Sequence, residues 1–310
     1  MGIEWAGSVT METSALYNLA GWRDRIPAGS SFVAALQAGD VRVLLFQPRS
    51  PDEQAPHPRD ELYMIAEGAG RLHVGFEQYP FSTGDLLFVP ATLPHHFELD
   101  PDSRVCAWVV FLGPRMDGAW TSNGTDPLHL EISPPEAPRQ VWSLCWRSST
   151  TTRQGIGLGH SAGMLCVAHS DKQDAGLVQY RRSGDSLRVL WAHPMAAGKL
   201  EGGHGERTGP GDDFDGVWRL VYTWTGHDPL TFDVTIEVTG ATATIKWRSK
   251  GALVFTGAGF IVGDDLLAAW GPTPGFEAVL YRVPGADEPQ ALQGRRLSGG
   301  EPRGETLYRR

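Results

Sequence analysis

The sequence predicts an all-β protein, a strand-rich N-terminal segment followed by two copies of a meandering strand unit. Three observations lead there. Short runs that alternate apolar and polar residues, or are apolar throughout, recur along the chain and are bounded by Gly, Pro and Asp. No stretch sustains the period of a long amphipathic helix. After Pro114 the sequence repeats itself.

Length and charge bound the rest. A chain of 310 residues has room for more than one domain. A net charge of −9 would repel phosphate backbones and argues against a nucleic-acid partner. No apolar run reaches membrane-spanning length, and residues 1–21 lack the basic flank and apolar core of a signal peptide. Cys106, Cys145 and Cys166 are too few and too scattered for a disulfide framework or a Cys-rich zinc site. A cytoplasmic protein with reduced thiols and no membrane partner is therefore expected.

Taken in order, residues 1–29 are expected to form an arm, with one short helix over 14–25, Ser14 as its N-cap and Pro27 just past its end. The arm would pack over a barrel mouth or across a dimer partner. Residues 31–37 and 41–47 are the first strands, and 48–58 is a loop rich in Pro and charge. Residues 62–66 form an apolar run ended by Gly68, residues 71–76 alternate, and residues 86–89 form a short buried strand before Pro90. In the strand over 103–112, Val105, Ala107, Val109 and Phe111 share one face, and Cys106, Trp108 and Val110 the other. Both faces are apolar, so it should be covered on both sides.

Between Asp52 and Phe97 lies the candidate site. His57 stands four residues before Glu61, and His95 follows a Pro-bounded turn. Antiparallel strands would bring His57, Glu61 and His95 together. Two imidazoles and a carboxylate suit a divalent metal with open positions, Fe(II) foremost and Mn, Ni, Co or Zn also. Strict alternation puts Arg59 on the same face, where it would pair with an anionic substrate. It turns Asp60 outward and sets Gln54 and His96 on the other face. Arg59, Tyr63 and His96 are the candidate catalytic or supporting groups, His96 as a general base were it to face the pocket.

These residues resemble the cupins. His57, Glu61 and Gly68 match the second His, the Glu and the Gly of the first cupin motif, and Gly84, Pro90 and His95 match the second, with Thr92 where a Gly is usual. The first His of the family falls at Ala55, so the resemblance implies three protein ligands rather than four. It covers residues 30–114 and implies a jelly-roll barrel around a metal or small-molecule pocket, and a homodimer through that domain.

The repeat spans 115–209 and 210–310. Asp117-Gly118-Ala119-Trp120 returns as Asp215-Gly216-Val217-Trp218, Trp146-Arg147-Ser148 as Trp247-Arg248-Ser249, and Tyr180-Arg181 as Tyr281-Arg282. Each copy reads as about eight short strands joined by tight turns, an up-and-down meander that closes to remove its edges. The copies look like small lipocalin- or avidin-like barrels. They are either structural or a second ligand site. Trp146 and Trp247 are expected as core or floor aromatics. No ligand spacing recurs among His129, His160, His169, His193 and His204. The glycines at 155, 157 and 159 lie within a strand pattern and are expected to permit close packing, not to cradle phosphate.

The functional expectation is a cupin-type mononuclear metalloenzyme acting on a small organic molecule, an Fe(II)-type oxygenase. The alternatives are a non-catalytic small-molecule-binding or regulatory cupin, or a metal-dependent isomerase or lyase. The family resemblance alone does not choose among them.

Overall fold

The structure, a computed structural model, describes residues 16–194, 198–272, 275–285, 287–298 and 301–310. Two compact units divide at Met116 and Asp117, apart from the short loops 136–138 and 285–289. Among the described residues no helix is long and apolar enough to cross a membrane.

The first unit begins with a short helix, α1 (Leu19–Arg23), capped by Asn18, whose Oδ1 accepts the Gly21 N–H at 2.8 Å. The expected cap, Ser14, lies outside the described residues. Eight strands follow: β1 (Phe32–Ala38), β2 (Val41–Phe46), β3 (Asp60–Glu67), β4 (Ala69–Val74), β5 (Glu77–Ser82), β6 (Leu86–Val89), β7 (His95–Leu99) and β8 (Cys106–Leu112). They form a five-stranded sheet, β1-β2-β8-β3-β6, and a three-stranded sheet, β5-β4-β7. Alternate residues of the two sheets meet in one core that includes Phe46, Tyr63, Leu72, Phe97, Val109 and Phe111. The outer face of β8 is covered too, since Trp108 meets Trp22 of α1 edge-on at 6.5 Å. Gly68, at φ +92°, joins β3 to β4, and a Cβ there would stand 2.5 Å from the Arg104 carbonyl oxygen. Only glycine fits that corner.

The second unit holds sixteen strands in two closed barrels. The first five are β9 (Gly118–Thr121), β10 (His129–Ser133), β11 (Trp142–Arg147), β12 (Thr152–His160) and β13 (Met164–Ser170). Next come β14 (Gly176–Ser183), β15 (Ser186–Ala192), β16 (Glu201–Arg207), β17 (Gly216–Tyr222), β18 (Leu230–Thr239), β19 (Thr242–Ser249), β20 (Ala252–Val262) and β21 (Asp265–Gly271). The last three are β22 (Phe276–Arg282), β23 (Ala291–Leu297) and β24 (Arg303–Arg309).

Sequence repeats and barrels do not coincide. β14 to β21 close one continuous barrel, while β9 to β13 join β22 to β24 in a split barrel around it in sequence. Each repeat therefore gives five strands to one barrel and three to the other. The expectation that each repeat closes on itself is corrected here. β13 pairs with β22 where a self-contained repeat would pair it with β14, and β14 pairs with β21. Because β14 and β22 are copies of one another, either pairing satisfies the same edge, and the chain exchanges equivalent strands within itself.

The exchange leaves both faces of the junction strands buried. Inward residues such as Tyr180, Leu187, Trp218, Ile236 and Leu266 fill the continuous barrel. Outward residues of the two barrels, among them Cys166, Ala168, Leu177, Phe260, Leu267 and Leu280, form a shared apolar layer. An ion cluster crosses that junction. Asp265 takes two hydrogen bonds from Arg181, at 2.8 and 2.6 Å, and lies 2.7 Å from Nε2 of His160. The strand glycines do permit close packing: a Cβ at Gly155 or at Gly257 would lie 2.8 or 2.7 Å from the rings of Trp146 or Trp247.

One end of the split barrel is filled by ions. Arg296 bonds Glu277 at 2.6 Å and Glu305 at 3.0 Å, and His169 lies 2.8 Å from Glu277. The hydrogen bond from His169 and the charge of Arg296 together outweigh burial and hold the Glu277 carboxyl down at about 2. This is below the value of about 4.3 for an unfolded Glu, so the stability it contributes is present above that pH and is lost as pH falls toward about 2. Thermal melts followed by circular dichroism should show a falling midpoint over that window in the wild type. Glu277→Gln should be less stable at pH 7 and lose less over the same window.

Candidate metal centre

The site forms where the loop before β3 crosses the starts of β3 and β7. Glu61 and Tyr63 point inward as alternate residues of β3, the strand held between β8 and β6. His95 opens β7 and is 2% exposed. His57 lies in the loop, and its carbonyl accepts the Thr92 N–H at 2.7 Å. Thr92 takes φ +73° at the place where the cupin motif usually has Gly. A β-branched residue rarely adopts that backbone, so this turn holds local strain beside the site.

Glu61 is the centre of the constellation. Its Oε1 lies 3.2 Å from Nε2 of His57 and its Oε2 3.0 Å from Nε2 of His95. The Tyr63 hydroxyl stands 2.9 Å from Oε2 of Glu61, 3.1 Å from Nε2 of His95 and 3.3 Å from the amide oxygen of Gln54. Nδ1 of His95 faces the Leu93 carbonyl at 2.9 Å. A carbonyl only accepts, so Nδ1 carries the proton and Nε2 is the nitrogen turned to the site. The His57 ring is seated edge-on against Phe111 at 5.2 Å.

The electrostatics favour positive charge at this point. Burial would raise the Glu61 carboxyl, but His57, His95 and Tyr63 outweigh it and the carboxyl is lowered. Burial likewise opposes charging of His95, yet Glu61 and the Leu93 carbonyl raise it. His57 is lowered, by burial first. Tyr63 is pushed well above its ordinary value by burial and then by the Glu61 charge, so its proton stays on oxygen.

One ligand atom each from His57, Glu61 and His95 lies within 4.8 Å of the others, and among the described residues this is the one such cluster of His, Cys, Asp or Glu. Two imidazole nitrogens and a carboxylate, one imidazole oriented by a carbonyl behind it, fit a divalent metal. His160 and His169 do not converge, since β12 pairs with β13 so that His160 faces Met164 and His169 faces Gly155.

Two other expected groups lie elsewhere. The His96 ring stacks on His73 at 4.4 Å on the face away from the centre, so His96 is no general base for it. Burial first, and then His73, lower its pKa. The Arg59 guanidinium bonds the backbone carbonyl of Asp40 and lies 3.7 Å from its carboxylate. Asp60 accepts the Ala91 N–H at 2.8 Å, pinning β3 to the turn before β7.

Gln54 and Asp52 are the additions. The loop is not a strand, so alternation does not govern it and Gln54 reaches the Tyr63 hydroxyl. Asp52 accepts from the Phe97 N–H at 2.8 Å and from the Gln54 amide at 2.9 Å, and burial raises its pKa. The signal available in the sequence was the short spacing Asp52-x-Gln54 beside a loop proline.

Comparison with known proteins agrees with this geometry. Residues 42–111 match the family described as "Cupin domain", and that part of the chain is a cupin domain. Over 77 residues, 24% of the chain, it is 39% identical to an acireductone dioxygenase of Alcanivorax borkumensis, covering 41% of that protein. Over 64 residues, 20% of the chain, it is 38% identical to an uncharacterized protein of Streptomyces coelicolor, covering 59% of it. The chain thus spans about half the length of these two relatives. No solved structure matches it.

Tyr63→Phe removes the hydroxyl that meets the buried Glu61 carboxylate. In metal-free protein it should lower the opening free energy of the β3 amides by about 1–3 kcal/mol. Native-state hydrogen exchange measures this, and unchanged protection would show that the hydroxyl contributes nothing there.

Proposed function

We propose that the cupin domain holds one divalent metal through His57, Glu61 and His95 and that it serves an Fe(II)-type oxygenase acting on a small organic molecule. The observation that carries this reading is the convergence of three donor atoms within 4.8 Å, those of Glu61 and His95 on buried residues. The stretch that is 39% identical to a protein named acireductone dioxygenase supports the oxygenase form. Mn, Ni or Zn fit the same donors.

When bound, such a metal supplies Lewis-acid polarisation of substrate oxygen and, as iron, activation of O2 at its open positions. The chain supplies the rest. Glu61 offsets the metal charge, Leu93 fixes the His95 ring, and Phe46, Phe97 and Phe111 keep water from the inner wall. Tyr63, protonated and next to the ligands, donates a hydrogen bond to a substrate oxygen. Without substrate that proton goes to the Glu61 or the Gln54 oxygen.

A second reading, a metal-dependent lyase or isomerase, is favoured by the same Tyr63 hydroxyl, which stands beside the metal ligands where it would hydrogen-bond a developing enolate oxygen. Oxygen uptake separates the two. Protein reconstituted anaerobically with Fe(II) should consume O2 when given a bidentate enediol, catechol or 2-oxo acid, and His95→Ala should lower the rate at least about a hundredfold. Substrate turnover without O2 uptake would favour the lyase or isomerase. Neither activity across such a panel would leave a non-catalytic binding cupin. Metal retention should weaken as pH falls, because protons compete for the imidazoles, first for His95, which Glu61 raises, and later for His57, which burial lowers.

A further inference from the structure

The two barrels share a framework but end differently, and the difference makes a cavity in one of them. Strand register aligns the positions. In the split barrel Tyr281 faces Gly294, which faces Glu305. In the continuous barrel Tyr180 faces Val189, which faces Gly203. Two residues along, Arg296 faces Val279, and Trp191 faces Val178. His169 faces Glu277 across one junction, and Trp270 faces Gly176 across the other. Where the split barrel has Arg296, Glu305, His169 and Glu277 bonded together as a polar plug, the continuous barrel has Trp191, Gly203, Trp270 and Gly176. Gly176 is required by the aromatic beside it, since a Cβ there would lie 2.4 Å from the Trp270 ring, and a Cβ at Gly203 would lie 2.5 Å from the Val221 carbonyl oxygen.

Removing the ions leaves a cavity of about 390 Å3, lined chiefly by Trp191, Tyr222, Trp224, Phe232, Phe255 and Trp270. The rings form a continuous belt of edge-to-face contacts. Trp224 meets Trp191 at 6.0 Å, Trp191 meets Tyr222 at 6.1 Å, and Tyr222 meets Phe232 at 5.8 Å. Phe232 meets Phe255 at 5.9 Å, and Phe255 meets Trp270 at 4.9 Å.

The polar tips of Trp191, Tyr222 and Trp247 are used within the wall. The Trp191 N–H donates to the carbonyls of Gly202 and Thr223, both at 3.1 Å. The Tyr222 hydroxyl accepts the Trp247 N–H at 2.6 Å and bonds the Tyr180 hydroxyl. At the rim, Asp174 accepts from Ser170 at 2.8 Å. The belt therefore presents ring faces and edges to an occupant. At the rim the His193 ring stacks on Trp270 at 5.2 Å beside Asp174, and burial lowers its pKa. An anionic group would meet the Asp174 carboxylate and no Lys or Arg. The mouth opens beside Leu230, which is 47% exposed.

We infer that the continuous barrel is a binding site for a flat, uncharged aromatic molecule of two or three rings, independent of the cupin centre. The volume is at the lower end of the small-molecule range, and rigid rings would stack on the belt at little entropic cost.

The test uses the full chain and the neutral probe N-phenyl-1-naphthylamine, with probe fluorescence and energy transfer from tryptophan as readouts. The expected result is saturable binding of one equivalent. Trp224→Ala and Leu230→Trp, the second filling the mouth from an exposed position that leaves the core intact, should each weaken it at least about tenfold. The similarly sized anionic probe 8-anilinonaphthalene-1-sulfonate should bind at least about tenfold more weakly, as an apolar wall with a carboxylate and no Lys or Arg at its rim requires. Phe88→Ser, at an exposed aromatic of the first unit, should change nothing. Failure to saturate at one equivalent, or affinity unchanged in Leu230→Trp, would overturn the assignment.

Discussion

A carboxylate taken out of water must be met by positive charge or by hydrogen-bond donors, and the cupin unit is arranged to meet that demand at Glu61. The side chain is 2% exposed and has His57, His95 and Tyr63 on its oxygens. Each of these is itself held. The Leu93 carbonyl sets the His95 ring, the Thr92 N–H holds the His57 backbone, and Gln54 reaches Tyr63 while bonded to Asp52. Asp52 in turn bonds the backbone of β7. The loop, β3 and β7 are thus tied together through one buried charge.

The second unit answers a different constraint. Open sheet edges must be paired, and two similar repeats offer each edge two equivalent partners. The chain takes the exchanged pairing, which puts copies of the same strand in both barrels and buries a shared apolar layer between them. The same duplication lets equivalent positions diverge. Arg296 and Trp191, or His169 and Trp270, fill matching places with ions in one barrel and aromatic rings in the other. One framework therefore carries a closed polar end and an open aromatic one.

Much of this was legible in the sequence because it follows from local periodicity. The apolar runs expected over 62–66 and 86–89 lie within β3 and β6. The facing sets Val105, Ala107, Val109, Phe111 and Cys106, Trp108, Val110 separate as two faces of a strand should. The convergence of His57, Glu61 and His95 follows from motif spacing. What was not legible depended on choices between equivalent partners or on irregular backbone. The strand exchange leaves every local pattern unchanged. Alternation was applied to Gln54, but its segment is a loop and the amide turns inward. Arg59 is buried, yet its guanidinium bonds Asp40, which periodicity cannot foresee. His96 obeys alternation and lies away from the centre.

The most direct measurement is elemental analysis of the full chain, purified without an affinity tag or chelator, beside Glu61→Ala and His57→Ala. The account predicts about one equivalent of a transition metal in the wild type and a loss of at least about tenfold in both variants, as removal of one of three ligands requires. Metal-free wild-type protein that stays metal-free after anaerobic incubation with Fe(II), Mn(II), Ni(II) or Zn(II) would contradict it.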